Sequence, residues 1–150
     1  MRRHTLLVVV AAAGLLVAAD GTQDDAQKER ARLQGYWDLV AGERNGTQVA
    51  ARDAKGLQVI FTDKKMTLSK GDKERYDATY VLHPDAKPKA IDIKFLMGPD
   101  EGKTFHGVYE VQGDNLKLCW SEAGQKRPEG FVTKAKSGRT LYVLKRGKPR

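Results

Sequence analysis

Among residues able to do acid–base, metal or nucleophilic chemistry, this chain offers three histidines, one cysteine and scattered carboxylates and serines. His4 sits in a leader-like N-terminus, His83 precedes Pro84 in a turn, and His106 stands alone on a strand-like segment. None has the helical i,i+4 partner of a zinc motif, no second cysteine joins Cys119, and no acidic loop has calcium-binding spacing. Ser69, Ser121 and Ser137 lack a glycine elbow, and Cys119 has no histidine beside it, so no activated nucleophile is visible. Asp100-Glu101-Gly102-Lys103 is a loop, not a phosphate-binding motif, and Asn45-Gly46-Thr47, formally a sequon, reads as a turn. Asp92 and Glu110 are the candidate carboxylates for a pair assembled by neighbouring strands, although solvated strand-face charges are the simpler reading. His106 and Glu110, four apart on one strand, are too far from each other to touch. The expectation is therefore no catalytic residue, no metal, no cofactor, and a protein that is not an enzyme.

The aromatics carry more information than the ionisable groups. Trp37, Phe61, Tyr76, Tyr80, Phe95, Phe105, Tyr109 and Trp120 fall on the more apolar faces of alternating segments. Faces of this kind converge inside a barrel, where large side chains either fill the interior or line a ligand cavity. Trp37, Phe61, Tyr76, Tyr80, Phe105, Tyr109 and Trp120 are the candidate ligand-binding residues.

The elements that position them are short strands. Residues 20–32 read as a polar linker passing into a short helix, with good helix formers from Ala26 to Leu33 and Gly35 able to end it. Trp37, Leu39 and Ala41 then alternate with Asp38 and Val40 up to Asn45-Gly46, a strong tight-turn signal. Val49 to Gly56 reads as a connection with one helical turn, able to act as a cover. Strands are expected at Leu57–Thr62, Met66–Ser69, Tyr76–Leu82, Ile91–Phe95, Phe105–Val111, Asn115–Ser121, Phe131–Thr133 and Thr140–Arg146. On the segment Asn115–Ser121, Leu116, Leu118 and Trp120 share one face, which puts Cys119 on the other with Lys117 and Ser121. There is no internal repeat and no helix–strand alternation of a parallel sheet.

The N-terminus looks removable. Arg2 and Arg3 precede an uncharged apolar run from Leu6 to Val17, followed by Val17-Ala18-Ala19. A signal peptide cleaved after Ala19 is expected, because the run is shorter than the roughly 18 to 20 residues of a spanning helix. Export by the general secretory route fits better than the twin-arginine route. With no cysteine near Ala19 a lipoprotein is excluded, since its thioether needs a thiol at the new N-terminus. The product is expected to be periplasmic or extracellular, without stable membrane insertion. Cys119 being alone, packing and not an internal disulfide must hold the fold.

The 150 residues carry 27 Lys and Arg against 19 Asp and Glu, a formal charge of +8. Basic residues are interspersed with acidic ones, as in Lys70-Gly71-Asp72-Lys73-Glu74-Arg75, which describes a solvated face and no nucleic-acid site. Lys64, Lys65, Lys134 and Lys136 would be the contacts for an anionic partner.

Leu33-Gln34-Gly35-Tyr36-Trp37, Lys87-Pro88-Lys89-Ala90-Ile91-Asp92-Ile93 and Gly107-Val108-Tyr109-Glu110-Val111 running into Gly113 to Cys119 occur in order. Together with Lys126-Arg127-Pro128 and Leu141 to Arg146, they make residues 30–147 resemble a family of lipocalin-like domains of uncharacterised function, abundant in planctomycete bacteria. The resemblance implies an antiparallel lipocalin-like β-barrel of about eight to nine strands over residues 33–147, with a short N-terminal helix. It also implies that a basic side chain from the last strand braces the indole of a Gly-x-Trp opening strand. Gly35 and Trp37 supply the opening strand, and Arg146 is a better brace than Lys145 because a planar guanidinium stacks on an indole. The function expected is an exported, non-catalytic module binding a small apolar or amphipathic ligand. The alternative is a domain that holds an anionic envelope polymer or protein on its basic exterior.

Overall fold

Period-two alternation, interrupted by turn residues, can close only where each strand finds two neighbours. The computed structural model describes residues 20–150; the segment 1–19, with its expected cleavage after Ala19, lies outside them. A helix α1 (Asp20–Leu33) leads into nine strands: β1 (Gly35–Arg44), β2 (Thr47–Gln48), β3 (Leu57–Phe61), β4 (Lys65–Lys70), β5 (Glu74–His83), β6 (Ala90–Phe95), β7 (Thr104–Gln112), β8 (Asn115–Ser121) and β9 (Arg139–Arg146). A single-turn helix α2 (Ala51–Ala54) lies between β2 and β3. Strands β3 to β9 form an antiparallel meander, and β1 pairs with both β3 and β9, so that β1 and β3–β9 make a closed eight-stranded barrel. The two-residue β2 pairs only with the end of β1, through the Asn45-Gly46 turn. Both turn residues have positive φ, 50° and 77°, as a hairpin turn matching strand twist requires.

The helix begins at Asp20, earlier than the linker reading allows. No helix among the described residues is long and apolar enough to cross a membrane.

Two other expectations change. Strict alternation along β1 puts Ala41 with Trp37 and Leu39, but a β-bulge lies between Leu39 and Ala41 in the pairing with β9. Val40 is the extra residue, Ala41 becomes exposed, and Gly42 and Arg44 take the phase of Tyr142 and Thr140, Gly42 buried and Arg44 exposed at the rim. The strand expected at Phe131–Thr133 does not form: residues 122–138 contain no helix or strand. Since β8 and β9 pair with each other and β9 with β1, the closed barrel has no free edge for it to join.

Residues 122–138 instead form a strap across the outside of β7 and β8. Ser121 Oγ donates to Lys126 O at 2.6 Å, the Lys117 ammonium lies 6.0 Å from the Phe131 ring centre, and the Thr133 hydroxyl bonds Glu43. Cys119, on the outer face as its strand phase requires, is fully buried between Lys117 and Ser121, which both touch the strap. Burial pushes its thiol up to about 11, which removes the nucleophilic thiolate at neutral pH.

Candidate functional site

The two ends of the barrel differ. At the α1 end the interior is solid. Trp37, Leu33, Phe61, Tyr80 and Tyr109 are all buried there, and Phe61 and Tyr80 meet edge to face with ring centres 5.3 Å apart. Trp37 Nε1 donates to Leu33 O at 2.7 Å. The Arg146 guanidinium lies over the indole at 4.2 Å and donates to Gln34 O and Arg32 O, each at 2.9 Å. Gly35, at φ 115°, leaves the space this needs: a Cβ there would come within 3.3 Å of Arg146 Nη1. Arg146, not Lys145, is therefore the brace.

Glu29 of α1 completes this plug. It accepts from Tyr109 Oη at 3.0 Å, Lys89 Nζ at 2.8 Å and Arg32 Nη1 at 2.9 Å. Burial alone would raise its carboxyl pKa, but these donors together hold it below the ordinary value. Burial, with Glu29 beside it, pushes the Tyr109 phenol up.

At the other end the strands enclose a cavity of about 420 Å³, within the usual range for small-molecule sites. Its walls include Leu68, Phe95, Phe105, Trp120 and Tyr142, and its rim Arg44, Asp100, Lys103 and Glu122. Phe95 and Phe105 pack edge to face at 5.4 Å, and Trp120 and Tyr142 do so at 4.8 Å. A second space of about 230 Å³ adjoins it, sharing Arg44, Leu68 and Tyr142 and reaching Tyr76. Gly98, φ 87°, lies close against Tyr76, where a Cβ would come within 2.7 Å of the ring. Burial raises the Tyr142 phenol, and the nearby Arg44 charge partly opposes this.

The seven candidate aromatics thus divide. Phe105 and Trp120 line the larger cavity and Tyr76 the smaller, whereas Trp37, Phe61, Tyr80 and Tyr109 pack the closed end. Residues 49–56 line neither mouth space; Val49 and Ala51 border an outer groove with Val40, so the expected cover is elsewhere. The loop carrying Asp100 and Lys103 and the strap ends at Glu122, Ala123 and Gly138 edge the opening instead. Arg44, Leu68, Thr140 and Tyr142 were not apparent from sequence as cavity residues. For Arg44 the reason is the bulge, which reverses its phase.

A second polar cluster lies on the outer wall. Asp92 on β6 stands opposite His106 on β7. His106 Nδ1 donates to Asp92 Oδ1 at 2.6 Å, His83 Nε2 to Oδ2 at 2.8 Å, and Arg127 Nη2 to Oδ1 at 2.8 Å. Arg127 Nη1 also donates to Ile91 O at 3.0 Å and Gly107 O at 2.9 Å, which ties the strap to two strands. Burial alone would raise the Asp92 carboxyl, but hydrogen bonds from His106, His83 and Arg127 and the Arg127 charge hold it at about 2. His106 is therefore not a lone surface histidine. Asp92 and Glu110 do not form a carboxylate pair, Glu110 being bonded to Gln112 Nε2 at 2.8 Å. Among the described residues no group of three or more histidine, cysteine or carboxylate side chains is placed to hold a metal ion. No protein-family model, curated protein or solved structure matches this chain.

Proposed function

We propose that this chain is an exported, non-catalytic, lipocalin-like binding module that takes a small amphipathic molecule into the open end of its barrel. The observation that carries this is the asymmetry of the interior: one end packed solid, the other holding about 420 Å³ between aromatic walls and a charged rim. An apolar body there would gain about 25 cal/mol for each Å² of apolar surface removed from water. The Trp37–Arg146 brace over Gly35 supports the lipocalin-like assignment and the likeness to the planctomycete domains. Arg2, Arg3, the apolar run and Val17-Ala18-Ala19 support export.

The anionic-partner alternative has less support from charge placement. Lys64 lies in the β3–β4 turn and Lys65 opens β4, near α1, while Lys134 and Lys136 belong to the strap turn before β9. These elements lie toward opposite ends of the barrel.

The test uses N-phenyl-1-naphthylamine, a neutral apolar fluorophore, titrated into the secreted form of the protein. Saturable binding with little salt dependence is expected, because apolar burial is not screened. Leu68→Phe, which adds bulk where the two mouth spaces meet, should weaken it. Non-saturable uptake, or binding untouched by Leu68→Phe, would refute the cavity reading.

A further inference from the structure

We propose that the mouth cavity selects anionic amphipaths and that Arg44 is the anchor for the head group, an inference that rests on the cavity-binding reading above. The bulge at Val40 gives Arg44 the phase of Thr140 at the open end of β1, where it stands exposed on the rim and borders both mouth spaces. Among the described residues its side chain makes one hydrogen bond, a long one of 3.4 Å from Nε to Thr140 Oγ1, and has no carboxylate at ion-pair distance. Among the described residues the Nη fork therefore has no protein acceptor. By contrast, Lys103 at the same rim is already engaged with Asp100 at 3.1 Å.

A planar guanidinium offers paired donors that match the oxygens of a carboxylate or phosphoryl group, and such charge-assisted pairs are stronger than neutral hydrogen bonds. Phe105, Trp120 and Leu68 provide the adjoining apolar wall, so one molecule with a tail and an anionic head would meet both. A neutral ligand would leave the fork unused. A cationic one would be repelled by Arg44 and would have to depend on Glu122 at the rim.

Decanoate, decyl phosphate, 1-decanol and decyltrimethylammonium share a tail and differ in the head. Their dissociation constants can be read by displacement of N-phenyl-1-naphthylamine and by the fluorescence of Trp120. At least one anionic probe should bind about tenfold or more tighter than decanol. Arg44→Gln should bring the ratio of anionic-probe to decanol affinity to about one, and Arg44→Lys, which keeps the charge without the fork, should retain part of that ratio. Tighter decanoate would identify a carboxylate head, and tighter decyl phosphate a phosphoryl one. Equal binding of decanol and both anions, a preference for the ammonium probe, or an anion advantage that survives Arg44→Gln overturns the assignment and leaves the cavity reading standing. Binding by none of the four removes both.

Discussion

Asp92 shows what one carboxylate does when three donors converge on it. Its carboxyl lies at about 2 in the folded protein against an unperturbed 3.8, so folding gains stability that is complete above about pH 4 and is lost as pH falls toward 2. Asp92→Asn should therefore flatten the acid limb of stability between pH 4 and 2 relative to the parent, as followed by urea midpoints; an unchanged limb would contradict the network. At the closed end, Trp37→Ala should cost about 3 to 5 kcal/mol, the usual result of deleting a buried large aromatic. Arg146→Ala should cost less, about 1 to 3 kcal/mol, because it removes a cation–π contact and two carbonyl bonds at a partly exposed site. Urea unfolding monitored by far-ultraviolet dichroism separates the two; equal losses would show that the brace does more than cover the indole.

Strap and bulge act at the level of elements. Arg127 ties the strap to the β6 and β7 backbone as well as to Asp92, and the strap touches Ser121 and Lys117, on either side of the buried Cys119. Arg127→Ala should loosen residues 122–138, raising their amide exchange and speeding the reaction of Cys119 with a disulfide reagent at pH 8. An unaltered thiol rate would mean that the strap does not depend on Arg127. The hairpin at Asn45-Gly46 sets where β1 ends and hence where Arg44 sits. Gly46→Ala should destabilise by about 1 to 2 kcal/mol or more, since φ is positive and a Cβ would come within 2.9 Å of Ala135 N. Its measure is the midpoint of thermal unfolding, with no change predicted if Gly46 is merely permissive.

For the whole molecule, closure of β1 on β9 turns a meander into a vessel with unlike ends, and the two tryptophans report on them separately. Trp37 is fully buried at the plugged end, whereas Trp120 is partly exposed at the mouth. In Trp37→Phe, the remaining Trp120 should be quenched by acrylamide and respond to cavity ligands. In Trp120→Phe, the remaining Trp37 should do neither. A ligand signal from Trp37 alone would place binding at the wrong end. Salt completes the comparison: a polyanion held by the lysines should dissociate steeply as ionic strength rises, and a cavity ligand should not.

Period-two alternation by itself located eight of the nine strands, because a half-buried strand must alternate. Asn45-Gly46 marked its turn for a local reason too, the positive φ that both residues tolerate. The pairing of Trp37 with a basic residue of the last strand was what the resemblance to lipocalin-like domains implied, and residue type favoured Arg146 over Lys145. Phe131–Thr133 misled because local propensity does not reveal that the barrel has no edge left. What only tertiary structure decided depends on neighbours distant in sequence. The bulge that gives Arg44 the phase of Thr140 is a mismatch between β1 and β9, and the Asp92 cluster needs the β6–β7 register and a strap from residues 122–138. The division of the aromatics into a packed end and an open one was hidden for the same reason. Which faces converge is a property of each strand, but the space left between them is set by how the closed barrel holds all the strands apart.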